Sequence, residues 1–192
     1  MELAELHRRT VESWQRILDG VKDDQWENAT PCTDWNVRAL VNHIVGEDLW
    51  TVPLLEGKTV AEVGDQFDGD VLGDDPRSRA MQAAGEATAA SEKRLPEGGM
   101  VSVSWGEIPV EEYVNQLAAD HLVHGWDLAA GTGQSRDLDP DLVDAVAAWF
   151  SPNEEMVRAA GVIAEHQDMS GDPQTELLAG YGRRADWQAP DA

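Results

Sequence analysis

The sequence contains a single cysteine, Cys32, among 192 residues, so no internal disulfide can form and a cysteine-rich zinc site is excluded. Any metal would have to sit on histidines and carboxylates. Positive charge is equally scarce, with 14 Lys and Arg against 37 Asp and Glu and a formal net charge of −23. Such a surface repels nucleic-acid phosphates and anionic membranes, which removes both from the expected partners. A salt-adapted host would also produce this acidity, although a solvated, soluble surface is the plainer reading. No stretch approaches the roughly 18 uncharged apolar residues of a membrane span. The opening MELAELHRRT lacks the basic start, apolar run and small-residue cleavage site of a secretory signal, so the expected location is cytoplasmic. There is no internal repeat and no low-complexity linker.

What is present is enough apolar surface, 42% of residues, to build the core of one domain spanning 1–192. Leu3, Leu6, Thr10, Trp14, Ile17, Leu18 and Val21 recur at helical spacing and predict a first helix. The turn-like stretch 28–34 leads to a second helix starting near Trp35, capped by Thr33 or Asp34, striped by Val37, Leu40, Val41 and Ile44 and fading near Pro53. Residues 57–76, rich in glycine and acid, read as a long loop. A third helix, 77–95, stops before Pro96. Val101, Val103 and Trp105 alternate with serines as a brief extended piece before a fourth helix over 109–130. Asp139 and Pro140 read as cap and first turn of a fifth helix reaching Phe150. An Ala-rich segment, 156–163, and a glycine-containing tail follow.

The fourth helix carries the chemistry. At about 100° per residue, Val110, Val114, Leu117, His121 and Leu128 form the centre of one apolar stripe, which makes His121 a core position. Asp120, His124 and Asp127 share a shoulder of that stripe, and residues four apart face the same way. On the second helix His43 lies on the shoulder of its apolar face, so two packed helices could bring His43, Asp120 and His124 to one point. Two imidazoles and a carboxylate suit zinc, nickel, manganese or iron(II), and three protein ligands leave a position for water or substrate. The competing readings are a solvated Asp and His pair and a satisfied core histidine, and spacing alone does not choose among them. Cys32 is either a thiol activated near a helix N-terminus or a small buried hydrophobe, and packing is the simpler account. Packing equally accounts for the tryptophans at 35, 50, 105, 126 and 149.

Three strings carry a resemblance. TPCTDWNVRALVNHIVGE at 30–47, DHLVHGWDLAAGTG at 120–133 and TELLAGYGRRADW at 175–187 resemble, in the right order, the signatures of the actinobacterial family related to mycothiol-dependent maleylpyruvate isomerase. The likeness covers nearly the whole chain. It implies an all-α, DinB-like four-helix bundle with an additional C-terminal helical segment, and a divalent metal held by His43, Asp120 and His124. Zinc is the first expectation, with nickel or manganese next. Asp120 is one methylene shorter than the Glu of the isomerase, and the isomerase's separate C-terminal domain is not expected here.

The resemblance also implies that the metal activates a small-molecule thiol such as mycothiol against an electrophilic substrate. That would make the protein a metal-dependent thiol transferase or thiol-assisted isomerase. A thiol with a free pKa near 8.5 needs a dication to be mostly thiolate at neutral pH. Asp127 could orient a ligand imidazole. Arg183 and Arg184 could grip a substrate or cofactor carboxylate, a plain surface arginine pair being the alternative. A non-catalytic protein that binds a small ligand or partner through the same metal is the second functional expectation. The apolar face of the first helix could form a homodimer surface.

Overall fold

The computed structural model describes residues 1–159, 161 and 163–190. Its helices are α1 (Leu3–Asp19), α2 (Val37–Leu55), α3 (Val60–Val63), α4 (Pro76–Arg94), α5 (Val110–Thr132), α6 (Pro140–Ala159) and α7 (Pro173–Gly180). A two-stranded hairpin, β1 (Met100–Val103) and β2 (Gly106–Pro109), sits between α4 and α5. The fold is therefore all-α, as the residues predicted. Among the described residues no helix is long and apolar enough to cross a membrane.

Helix α5 is the axis of the structure. Seventeen of its 23 residues are buried, so it is enclosed on nearly every side rather than along one stripe. Three apolar clusters meet it. Trp14, Leu18, Leu40, Ile44, Ala80 and Leu128 join α1, α2, α4 and α5. Leu122, Val143, Phe150, Leu177 and Tyr181 join α5 to α6 and α7. Leu54, Val103, Val110, Tyr113 and Leu117 close the hairpin over the end of α2 and the start of α5.

The start of α2 departs from the sequence reading. Its cap is Asn36, whose extended backbone lets the side chain accept from the Ala39 amide at 2.8 Å, so Trp35 stays outside the helix. The Thr30 hydroxyl spans the preceding loop to the Trp35 carbonyl at 2.8 Å, and the Asn28 amide donates to the Gly131 carbonyl at 3.0 Å. Gly131 permits that approach, because a Cβ there would lie 2.9 Å from the Ala29 oxygen. Elsewhere α2 runs through Pro53 to Leu55, since a proline in the last turn sacrifices only one donor. The stretch 57–76 holds the short α3, closed by a Thr59–Glu62 capping box. The extended piece is one arm of the hairpin, and α6 continues past Phe150 through Pro152 to Ala159. Residues 160 and 162 of the Ala-rich segment lie outside the described residues. Helix α7 falls in the glycine-containing tail, where it is too short to show a periodic stripe; Asp172 caps it through the Thr175 amide.

Beneath the core runs a line of buried polar groups. His121 Nε2 stands 3.4 Å from Asp48 Oδ1, both side chains almost fully enclosed, close enough for attraction but without hydrogen-bond geometry. Burial pulls the His121 pKa down, yet the Asp48 carboxylate outweighs it and the net shift is upward. His7 packs edge-on against His121 at 5.8 Å between ring centres, and neither of its nitrogens has a partner among the described residues. Burial, helped by His121, lowers its pKa from 6.5 to about 3. His7 is therefore neutral when folded, whereas the unfolded chain takes up a proton below pH 6.5, so His7 costs stability as pH falls from about 6.5 towards 3. Replacing His7 with Leu should remove this slope. In urea denaturation, the stability lost between pH 7 and pH 5 should be smaller in the variant by about 2 kcal/mol, and an unchanged loss would exclude His7 as its source.

Candidate functional site

Helices α2 and α5 run antiparallel and place His43, Asp120 and His124 together. His43 Nε2 lies 3.9 Å from Asp120 Oδ2, and the His43 and His124 rings meet edge-on with centres 5.1 Å apart. Trp35 lies 4.5 Å from the His43 ring and 5.6 Å from that of His124, so one indole backs both imidazoles. Burial lowers the His43 pKa to about 4, with Asp120 opposing, and leaves its imidazole neutral. Among the described residues no three His, Cys, Asp or Glu side chains already stand at metal-holding distances.

The buried side of His124 is more tightly built. Its Nδ1 donates to Asp127 Oδ2 at 3.0 Å, since an ionised carboxylate can only accept. In a neutral imidazole that bond makes Nε2 the lone-pair nitrogen. Asp127 is fully buried, which by itself would raise its pKa. Arg183 and the His124 contact overcome that and lower it. Arg183 donates through Nε and Nη2 to the same carboxylate, at 3.1 and 2.8 Å to Oδ2, and through Nη1 to the Tyr181 carbonyl at 2.8 Å. It reaches this depth because Gly182, with φ of 78°, turns the chain immediately before it. A Cβ at Gly182 would lie 2.9 Å from the Glu165 oxygen.

These residues form one end of a cavity of about 820 Å³ lying between α2 and α5. Cys32 lines it but lies five residues ahead of the first residue of α2, and burial, opposed mainly by Arg183, raises its pKa and keeps it a thiol. Glu47, one turn beyond His43, also lines it, its pKa raised to about 7 by burial and by Asp120. Arg184 is not brought to the cluster. It is exposed and chelates Asp186 at 3.1 and 2.9 Å. Reasoning along the sequence missed Glu47 as a lining residue, Trp35 as the backing of both imidazoles, and Arg183 as the partner of Asp127. The last had a signal in the Gly-Arg of the tail, but nothing local links residues 56 apart.

Because Asp127 and Arg183 are buried and mutually neutralising, removing one charge strands the other. Asp127→Asn should cost about 3–5 kcal/mol by urea denaturation. Arg183→Met in the same chain should recover much of the loss, since no buried charge then lacks a partner. A single variant as stable as the parent would show that the pair is not closed in solution.

The family model described as the mycothiol maleylpyruvate isomerase N-terminal domain matches residues 7–129. Two Mycobacterium tuberculosis proteins, uncharacterized protein MT0763 of strain CDC 1551 and uncharacterized protein Rv0738 of strain H37Rv, are each 32% identical over 148 residues, covering 74% of this chain and of their own. A crystal structure of a mutant mycothiol-dependent maleylpyruvate isomerase superposes with a TM-score of 0.63 at 15% identity, over 78% of this chain and 70% of that one. At that identity the match speaks to the fold alone. With a family match that runs from within α1 through α2 and α4 into α5, including His43, Asp120 and His124, the chain belongs to the mycothiol maleylpyruvate isomerase N-terminal domain family.

Proposed function

We propose that the protein holds one divalent metal ion through His43, Asp120 and His124, zinc in the first instance and nickel or manganese otherwise. On this reading it serves as a metal-dependent thiol transferase or thiol-assisted isomerase, with mycothiol or a similar small thiol as co-substrate. The observation that carries the reading is the bond from His124 Nδ1 to buried Asp127. It fixes the tautomer with Nε2 free, the arrangement that orients a metal-ligating imidazole. His43 is neutral and Asp120 lies beside it, so the donor set of two imidazoles and one carboxylate suits a borderline dication. Ligand atoms about 2.0–2.2 Å from a metal stand closer together than the 3.9 Å from His43 to Asp120, so a small side-chain rotation would be needed.

A bound dication would supply electrostatic stabilisation of a thiolate at neutral pH. The protein's own residues do the rest. Trp35 fixes the ring planes of His43 and His124, and Asp127 with Arg183 holds His124 from behind. Glu47, poised near neutrality and lining the cavity, is the group placed to take up a thiol proton.

Untagged protein prepared without chelators should carry near-stoichiometric metal by elemental mass spectrometry, and His124→Ala should lose it. Cobalt-substituted protein should change its visible spectrum on adding a thiol. A parent that takes up no zinc, nickel or manganese would overturn the ligand assignment. Metal bound with no response to any thiol would leave a binding protein rather than an enzyme.

A further inference from the structure

Helices α2 and α5 each carry an imidazole and a carboxylate one turn apart on the side that faces the cavity. On α2 these are His43 and Glu47, on α5 His124 and Asp120, and all four line the cavity. Because the helices run antiparallel, the two pairs match in order. The imidazoles meet at one level, with ring centres 5.1 Å apart. One turn along, about 6 Å, the carboxylates share the next level. Asp120 is accordingly the strongest charge acting on Glu47, and it is of the same sign.

Two carboxylates on facing helices in a largely enclosed site repel each other unless a cation or a donor stands with them. Among the described residues no hydrogen bond reaches the Glu47 carboxylate, and Asp120 has beside it a neutral His43, 3.9 Å away. The positive charge that does act on Glu47 is that of His121, which already faces Asp48 at 3.4 Å. Arg183 is the one Lys or Arg among the described residues that lines the cavity, and Asp127 neutralises it. Charge balance agrees with the placement. A dication on His43, Asp120 and His124 leaves one positive charge in a partly dry site, whereas a second carboxylate brings the site to neutrality.

We propose that Glu47 is a fourth protein ligand of the resting metal site, an exchangeable one that gives way to the incoming thiol. This rests on the metal and thiol reading above and adds to it the residue that closes the site until the thiol arrives. No hydrogen bond ties the Glu47 side chain elsewhere among the described residues, and its length lets it turn towards the point that His43, Asp120 and His124 share. Exchange breaks one metal–oxygen bond to Glu47 and forms one metal–sulfur bond, and the thiol proton passes to the carboxylate set free. Nothing is oxidised and no further reactant is consumed. Glu47 becomes a proton acceptor by being displaced, so the base is released at the moment the thiol needs one.

The test compares the full chain with Glu47→Gln, which keeps the shape of the side chain and removes its charge. Without metal the variant should be at least as stable in urea as the parent, because the repulsion with Asp120 is gone. Its zinc affinity, measured by competition with a chelator, should fall by about tenfold or more. The cobalt-substituted variant should show weaker visible bands than the cobalt parent, as water enters in place of the carboxylate, and the two spectra should become alike under saturating mycothiol. Unchanged zinc affinity and cobalt spectrum in Glu47→Gln, with metal still lost in His124→Ala, would overturn the inference while leaving the three-ligand site standing. A fall in affinity with the spectrum unchanged would reduce Glu47 to a neighbouring charge and overturn it equally. A spectral difference that persists under saturating mycothiol would overturn the exchange. A parent that takes up no metal would bring down the site and the inference together.

Discussion

The arrangement of the site depends on one buried ion pair. Asp127 sits at the centre of the molecule with no access to water, where a lone carboxylate would be too costly to remain charged, and Arg183 arrives from the tail to neutralise it. That contact does three things at once. It allows a carboxylate behind His124, thereby setting which nitrogen of that imidazole is bare. It places the Tyr181 and Arg183 segment against the cavity. It also fixes where α7 must end, because the guanidinium has to reach past Gly182 to its partner.

Enclosure of α5 on nearly every side explains how a helix can hold so many polar groups in its interior. A helix with one buried stripe would expose Asp127 and His124 to solvent, where they would titrate freely and move. Packed by α1, α2, α6 and α7, the same residues become a fixed array. The array has two faces. His121, Asp48 and His7 turn inward with few partners, while Asp120, Glu47 and His43 turn towards the cavity. Neighbouring residues on α2 and on α5 supply both, so chemistry and internal strain are separated by a single helical step.

Much of this was readable from residues. The apolar spacing of α1, α2 and α5 is strong because those helices are long, and the second and fourth helical segments already placed His43 near Asp120 and His124. His121 read correctly as a core position. The start of α2 was misread by two residues because Thr33, Asp34 and Asn36 are all competent caps, and only the tertiary bridge to residue 29 selects Asn36. Helix α7 and the run of α6 through Pro152 were hidden because eight residues are too few for a period and proline argues for a stop. The partner of Asp127 was hidden for a different reason. An ion pair across 56 residues leaves no periodic trace, and the same arginine would look alike on a surface.

That separation along the chain also has a temporal meaning. During synthesis, every helix that bears His43, Asp120 and His124 has been made by residue 132, while Arg183 has not yet been added. At about 5–20 residues per second, the interval from Asp127 to Arg183 is of the order of 3–11 seconds. Through that interval Asp127 has to stay hydrated or protonated, so the charged pair behind His124 can form only once the residues after α7 have been added.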